Sequence, residues 1–340
     1  MAATYAREMT RGGRNRVGTL ATSLAVAAAL AAGCSESERP PVETLGFRAG
    51  GGLFKEPAFL EAEEWLDREI RYTVQFTGRQ SQQDMNGAAF GLLVGEKSTI
   101  NAYADRLELS LTVPLGFGNA NARTQEGRTE IRSNLELVTS GEFDAAYRRV
   151  AERLVEAGFP DAVLRLGHEF NGAWAPWSSR TNEEEFIAAW RHVHEIMSAE
   201  SPDFRFDWTA IRASWAEWGP SAYPGDDYVD VIGLDIYWRV TPADDDSWDT
   251  EVWRLQYQRV LEEHLAFAEA HGKPVSYPEW GLGGGDVPQF VEAMHEWLSD
   301  LPTEGPGRLL YHAYFDGNRQ YDLDQYPASR ARYRELFGDT

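Results

Sequence analysis

The chain has 340 residues, of which 43% are hydrophobic and 12% aromatic, and its 32 Lys and Arg against 54 Asp and Glu give a net charge of −22 at pH 7. This composition excludes a disordered or low-complexity chain, and the length fits one large domain or two ordinary ones. The acidic balance argues against nucleic acid as a partner, because a phosphate backbone is bound through clustered Lys and Arg. The lone cysteine, Cys34, excludes an intrachain disulfide, and the scattered histidines form no metal-ligating motif.

The first 33 residues have the pattern of a secretory signal. Four arginines precede an uncharged, apolar stretch that runs from Val17 to Ser35. The sequence Leu-Ala-Ala-Gly-Cys at its end resembles a bacterial lipobox, in which the cysteine is acylated and becomes the mature N-terminus. An ordinary signal peptide that happens to contain a cysteine is the alternative.

This pattern predicts three segments and a location. We expect a lipoprotein signal peptide over 1–33, lipidated Cys34 with a polar tether over 34–43, and one folded domain over 44–340. The protein is then extracytoplasmic and touches the cell membrane only through its N-terminal lipid. If the lipobox is not used, the protein is secreted instead.

Eight short apolar segments read as strands, and they alternate with amphipathic segments that read as helices. The predicted strands are 45–49, 71–76, 107–113, 162–167, 205–210, 230–236, 273–278 and 308–313. The predicted helices are 57–68, 143–157, 183–198, 251–270, 287–299 and 327–336.

Alternating strands and helices imply an α/β fold with a parallel sheet and helical crossovers. Eight strands in this length favour a (β/α)8 TIM barrel, which typically has about 250 residues. The alternative is a doubly wound open sheet. However, Gly50-Gly51-Gly52 after the first strand lacks the GxGxxG spacing of a dinucleotide site. The sequence therefore predicts a (β/α)8 barrel without a cofactor or metal.

Two of the predicted strand ends carry a glutamate among aromatic residues. The fourth strand runs into HEFNGAWAPW, which contains Glu169, and the seventh runs into PEWGL, which contains Glu279. Active sites of (β/α)8 barrels lie at the C-terminal ends of the strands, so both glutamates are expected at one mouth. Glycosidic bonds are commonly cleaved by two such carboxyl groups, and aromatic rings stack on sugar rings. Either glutamate alone would be read as a surface or salt-bridge residue.

These motifs resemble those of glycoside hydrolase family 26. HEFNGAWAPW is similar to the family's acid/base segment, PEWGL to its nucleophile segment, and DVIGLDIY over 230–237 to its sixth strand. The similarity covers roughly residues 160–285, whereas 44–160 match only in general layout. The resemblance implies a β-mannanase-like (β/α)8 enzyme that retains the anomeric configuration.

By this resemblance Glu169 is the general acid/base and Glu279 the nucleophile. A retaining pair lies about 5–5.5 Å apart, close enough for one charge to raise the pKa of the other carboxyl group. We expect Glu169, flanked by aromatic residues, to be the protonated member. Tyr237 is expected to orient Glu279. His168, otherwise read as a core histidine, is expected to hydrogen-bond the substrate or Glu279.

Five further residues are predicted at the substrate-binding site: Arg165, Trp174, Trp177, Trp208 and Trp280. Trp174 is expected to form the floor of the −1 or +1 sugar site. The other three tryptophans either contact sugar or pack in the core. Arg165 is expected to point into the barrel, where it either braces Glu279 or forms a structural ion pair.

Two departures from the family pattern concern the choice of sugar. Mannan-cleaving members carry a histidine near the end of the third strand, and residues 112–117 contain none. A tryptophan usual on the eighth strand is absent from residues 311–314. β-1,4-Mannan is thus expected by analogy only, and mixed-linkage glucan, β-1,3-glucan and xylan stay open. The acidic net charge favours a neutral polysaccharide.

Two functions of different class remain at this point. The first is a monomeric retaining glycoside hydrolase that cleaves a β-linked polysaccharide by double displacement. The second is a non-catalytic glycan-binding surface lipoprotein, which would need the tryptophans but neither acid nor Tyr237.

Overall fold

The computed structural model describes residues 45–49, 58–86, 100–239, 248–316 and 320–339. The predicted signal peptide, Cys34 and the tether lie outside these residues. Among the residues described, none of the helices has the length and apolar character that crossing a membrane requires.

Eight parallel strands close into a barrel in chain order, and β1 pairs with both β2 and β8. The strands are β1 (Leu45–Ala49), β2 (Tyr72–Phe76), β3 (Glu108–Val113), β4 (Val163–Leu166), β5 (Arg205–Ile211), β6 (Val231–Trp238), β7 (Val275–Leu282) and β8 (Leu309–Asp316). The predicted (β/α)8 barrel is confirmed. The last three strands extend further at their C-terminal ends than the sequence predicts, so that Tyr237 and Glu279 lie inside strands.

Helices connect the strands. In the described part of the chain they are α1 (Ala58–Leu66), α2 (Gln82–Asn86), α3 (Gln125–Thr139), α4 (Asp144–Glu156), α5 (Glu183–Ser198), α6 (Trp215–Trp218), α7 (Thr250–Val252), α8 (Arg259–Ala270), α9 (Pro288–Asp300) and α10 (Pro327–Phe337). A π-helical segment, Trp253–Gln258, joins α7 to α8.

The sequence analysis missed α2, α3 and the short helix α6. The buried apolar side chains of α3 are Ile131, Leu135 and Val138, which recur at helical spacing among many charged and polar residues. The helix begins after Thr124, whose side chain accepts a hydrogen bond from the Gly127 N–H at 3.0 Å. Both signals are present in the sequence, but the apolar stripe is too narrow to stand out.

The C-terminal half of β7 contains one extra residue. Tyr277 pairs with His312 on β8, yet the next pair joins Trp280 to Tyr314. The pairing with β6 shifts by one residue over the same stretch. A bulge of one residue reverses the alternation of side chains along a strand.

This bulge decides which way Glu279 faces. Before it, Ser276 points into the barrel and donates a hydrogen bond to Asp207 at 2.6 Å, while Tyr277 points to the helices. After it, Glu279 faces the interior and Trp280 packs against the outer helices. In a regular strand Glu279 would share the outward face of Tyr277.

The barrel interior changes character along its axis. A small apolar cluster fills the part near the N-terminal ends of the strands: Tyr72, Val74, Val163, Tyr311 and Ala313. Asp207 lies beside this cluster, where its side chain accepts hydrogen bonds from Ser276, Tyr311 and Thr209. Toward the C-terminal ends the interior is polar and holds Arg165, Asp235 and Glu279. The larger apolar core lies between the strands and the helices. The polar side chains toward the C-terminal ends of the strands therefore border the solvent at the mouth of the barrel.

Candidate active site

A cavity of about 320 Å³ opens among the C-terminal ends of the strands. Its walls combine two carboxyl groups with aromatic rings and one arginine: Phe76, His168, Glu169, Trp174, Tyr237, Arg239, Glu279, Phe315 and Tyr321. Glu169 and Glu279, predicted from separate motifs, therefore lie in the same cavity. Both are largely enclosed, with exposures of 8% and 5%.

The backbone after β4 turns sharply to present Glu169. Gly167 has φ 52° and Glu169 has φ 50°, a left-handed conformation that is uncommon for a residue with a side chain. Two hydrogen bonds hold it, from the Glu169 N–H to the Thr209 carbonyl at 2.9 Å and from the Gly172 N–H to the Glu169 carbonyl at 2.7 Å. Such conformations persist where the surroundings impose them, and they often occur at functional sites.

The environment of Glu169 favours its protonated form. Burial, together with the negative charge of Glu279, raises the pKa of Glu169 to about 7. The Trp174 indole N–H donates to Glu169 Oε2 at 2.7 Å, which lowers the pKa but does not offset the other two effects. The side chain can therefore give up or accept a proton near neutral pH.

The environment of Glu279 is different. Arg165 Nη1 donates to Glu279 Oε1 at 2.8 Å, and the Tyr237 hydroxyl donates to Glu279 Oε2 at 2.8 Å. Both carboxyl oxygens are thus held by donors, one of them a cation. Hydrogen bonds of this kind favour the ionised carboxylate and fix its orientation.

Arg165 and Tyr237 are themselves tightly constrained. Arg165 is fully buried and also donates to Asp235 at 2.6 Å and to the Thr209 hydroxyl at 3.2 Å. Burial lowers the pKa of Arg165, but attraction to Asp235 and Glu279 outweighs this and keeps the guanidinium charged. Burial also raises the pKa of Tyr237, so its hydroxyl keeps its proton and stays a donor.

Asp235 was not singled out by the sequence analysis. It is fully buried, and burial raises its pKa well above the ordinary value despite its contact with Arg165. Asp235 and Tyr237 are two residues apart on β6, so both point into the barrel. The inward direction of Asp235 could therefore have been predicted from its position two residues before Tyr237.

His168 and Trp174 form one aromatic wall. Their ring centroids lie 5.5 Å apart, and Phe76 from β2 contacts His168 edge-on at 5.6 Å. Trp174 is only partly buried, so it has surface available for a ligand. The structure therefore places both predicted residues beside Glu169.

Three tryptophans predicted to bind substrate lie away from the cavity and pack in the core. Trp177 sits beneath the loop after β4 and donates to the His168 carbonyl at 2.9 Å. Trp208 faces outward from β5, donates to the Ala222 carbonyl and stacks on Phe170. Trp280, turned outward by the bulge, donates to a core histidine. The physical reasons differ: regular strand alternation directs Trp208 to the helices, whereas the bulge in β7 directs Trp280 there.

Arg239 and Tyr321 complete the wall on the opposite side. Arg239 Nη2 donates to the Tyr321 hydroxyl at 2.8 Å, which joins the end of β6 to the loop after β8. The sequence analysis singled out neither residue. Phe76 and Phe315, by contrast, occupy inward positions at the ends of β2 and β8.

The described residues contain no group of three or more His, Cys, Asp or Glu side chains arranged to hold a metal ion.

The effect of the Glu279 charge should be measurable as a change in the pKa of Glu169. In Glu279→Gln the repelling charge is removed, so the pKa of Glu169 should fall from about 7 toward the ordinary glutamate value. Carboxyl carbon NMR titration, with the Glu169 signal assigned from Glu169→Gln, checks this. Glu63→Gln, which removes a carboxylate paired with Arg106, is the control and should leave Glu169 unchanged. An unchanged Glu169 pKa in Glu279→Gln would contradict the coupling.

Comparison with known sequences identifies the same family as the motifs. Residues 138–277 match the sequence model of Glycosyl hydrolase family 26. Endoglucanase H of Acetivibrio thermocellus is 29% identical over 217 residues, which are 59% of this chain and 23% of that protein. Mannan endo-1,4-beta-mannosidase A and B of Caldalkalibacillus mannanilyticus is 28% identical over 143 residues, or 39% and 25%. The chain thus spans about a quarter of the length of these relatives.

Solved structures show the same fold. The catalytic domain of the Bacillus sp. JAMB-750 GH26 endo-beta-1,4-mannanase has a TM-score of 0.61, with 17% identity, over 87% of this chain and 86% of that chain. A double mutant of the Cellulomonas fimi endo-beta-1,4-mannanase has a TM-score of 0.62, also at 17% identity, over 87% and 72%.

The family match covers most of the site. It contains Arg165, Glu169 and Tyr237, and it ends two residues before Glu279. Over residues 138–277 this chain is therefore similar to glycosyl hydrolase family 26.

Proposed function

We propose that this protein is a retaining glycoside hydrolase of the endo-β-mannanase type. The observation that carries the proposal is the contrast between two enclosed carboxyl groups in one cavity. Burial and the charge of Glu279 raise the pKa of Glu169 to about 7, whereas Glu279 is bound through both oxygens by Arg165 and Tyr237. An acid beside a nucleophile is the arrangement that glycoside cleavage with retention requires.

In the first step, Glu279 attacks the anomeric carbon and forms a glycosyl ester. The bond from that carbon to the glycosidic oxygen breaks, and Glu169 gives its proton to the departing oxygen. Loss of negative charge at Glu279 weakens its hydrogen bonds with Arg165 and Tyr237. The negative charge on the deprotonated Glu169 is partly offset by the Trp174 N–H.

In the second step, Glu169 takes a proton from water, and the water oxygen attacks the anomeric carbon. The ester bond to Glu279 breaks, and the electron pair returns to the carboxylate. Arg165 and Tyr237, already positioned at its two oxygens, stabilise the charge that reappears there. These donors need no rearrangement, because the barrel holds them before substrate arrives.

The proposed substrate class is a neutral, β-linked polysaccharide. Relatives named as mannan endo-1,4-beta-mannosidases support β-1,4-mannan, whereas the relative named Endoglucanase H keeps a β-glucan open. The ring faces of Trp174 and Phe315, and the phenol of Tyr321, suit the C–H faces and hydroxyls of a neutral sugar. Xylan and β-1,3-glucan also remain candidate substrates, because the third strand ends without the histidine that mannan-cleaving members of the family carry.

A panel of polysaccharides tests the function. We expect the purified protein to release reducing ends from at least one of mannan, lichenan, laminarin and xylan, with retention seen by proton NMR of the first product. Glu279→Ala should lose this activity, and Glu263→Ala on the exposed side of α8 should keep it. Glycan binding by calorimetry without any reducing-end release would instead favour the non-catalytic binding lipoprotein.

The acid role of Glu169 is tested by varying the leaving group. Glu169→Gln should lower kcat/KM on a polysaccharide by about 10²–10⁴-fold, the usual contribution of general acid catalysis. Aryl glycosides with a dinitrophenolate leaving group need no proton, so their first step should be affected far less. An equal loss on both substrates would contradict the assignment of Glu169 as the acid.

We also propose that a lipid on Cys34 anchors the enzyme outside the cytoplasm, with cleavage after residue 33, a tether over 34–43 and a monomeric catalytic domain over 44–340. The sequence pattern alone supports this. Expressed in a bacterial host, the wild type should incorporate labelled palmitate and fractionate with membranes. Cys34→Ala should do neither. Absence of label in the wild type would contradict lipidation and favour an ordinary secreted enzyme.

A further inference from the structure

The end of β6 lacks a neighbouring strand on one side. β5 ends at Ile211, which pairs with Asp235, whereas β6 continues to Trp238. On its other side β6 stays paired, since Tyr237 faces Gly281 of β7. The backbone groups around Tyr237 that point toward β5 therefore need another partner.

The hydroxyl of Tyr257 supplies that partner. It donates to the Tyr237 carbonyl at 3.2 Å and accepts from the Arg239 N–H at 3.3 Å. In a parallel pair, a carbonyl and the N–H two residues later bond to one residue of the adjacent strand. A single phenolic oxygen thus replaces the residue that β5 would have contributed had it continued.

The π-helical segment Trp253–Gln258 brings Tyr257 to this position. π-Turns widen a helix and often occur at functional sites. Arg212, the residue directly after β5, holds the turn. Its Nη1 donates to the Gln256 carbonyl at 2.7 Å, and its guanidinium lies 3.8 Å from the centre of the Tyr257 ring. Tyr257 itself is only 3% exposed, so its ring has little freedom to move.

We propose that Tyr257 is a positioning residue for the reaction, acting through Tyr237 on Glu279. It fixes the peptide groups on both sides of Trp238, and Tyr237 projects from that stretch to Glu279 Oε2. A small shift of the strand end changes where the Tyr237 hydroxyl meets the carboxylate, and catalysis is sensitive to such displacements. This role rests on the proposed glycoside hydrolase function.

Tyr257→Phe removes the bridging hydroxyl and keeps the ring. We expect kcat to fall about tenfold, the scale of one hydrogen bond, with KM unchanged. The acidic limb of the pH profile should move to higher pH, because a carboxylate with a looser donor is protonated more easily. Tyr147→Phe is the matched control. Its buried hydroxyl donates to the Pro114 carbonyl after β3, and its loss should lower the melting temperature without changing kcat.

A double-mutant cycle separates this role from general loosening of the fold. In a Tyr237→Phe background, Tyr257→Phe should cause little further loss of kcat, since the residue through which it acts is already gone. An equal loss in both backgrounds, or wild-type kcat and pH profile in Tyr257→Phe, would overturn the proposal while leaving an active hydrolase. An inactive wild-type protein would overturn the proposed function first, and the role of Tyr257 with it.

Discussion

The guanidinium of Arg165 lies at the centre of the barrel, shielded from water, and its donors are directed to Glu279, Asp235 and Thr209. A cation is tolerated in such a place only when carboxylates and other acceptors replace the water it has lost. Loss of Arg165 would leave Asp235 and Glu279 without their cationic partner, and loss of either carboxyl group would remove a negative charge that stabilises the buried cation. These residues therefore depend on one another, and the ionisation of the whole site follows from their arrangement.

The two glutamates reach the cavity through local departures from regular structure. Glu169 has a left-handed backbone conformation directly after β4, and Glu279 faces inward because β7 contains one extra residue. Neither departure is favourable on its own, and each is held by neighbouring strands. The regular barrel thus supplies the rigidity, and two irregular points supply the chemistry.

Much of the fold was predictable from the sequence because strand and helix patterns alternate from residue 45 onward. The pair Glu169 and Glu279 was predictable because each lies in an aromatic motif at a strand end. The direction in which each side chain points was harder to predict. Trp208 and Trp280 lie on the same strands as cavity-facing or interior residues, but regular alternation in β5 and the bulge in β7 direct both tryptophans into the core. Tyr257, Arg239 and Tyr321 carried no signal, since loops and an irregular helix bring them to the site.

Thr209 on β5 links both halves of the cavity. Its carbonyl holds the backbone of Glu169, and its hydroxyl contacts the Arg165 side chain that holds Glu279. The separation of the two carboxyl groups is consequently set by strands of the barrel together with the loop after β4, which carries Trp174. Over evolutionary time, other loops around the cavity can be exchanged to fit a new sugar while the reacting groups keep their spacing.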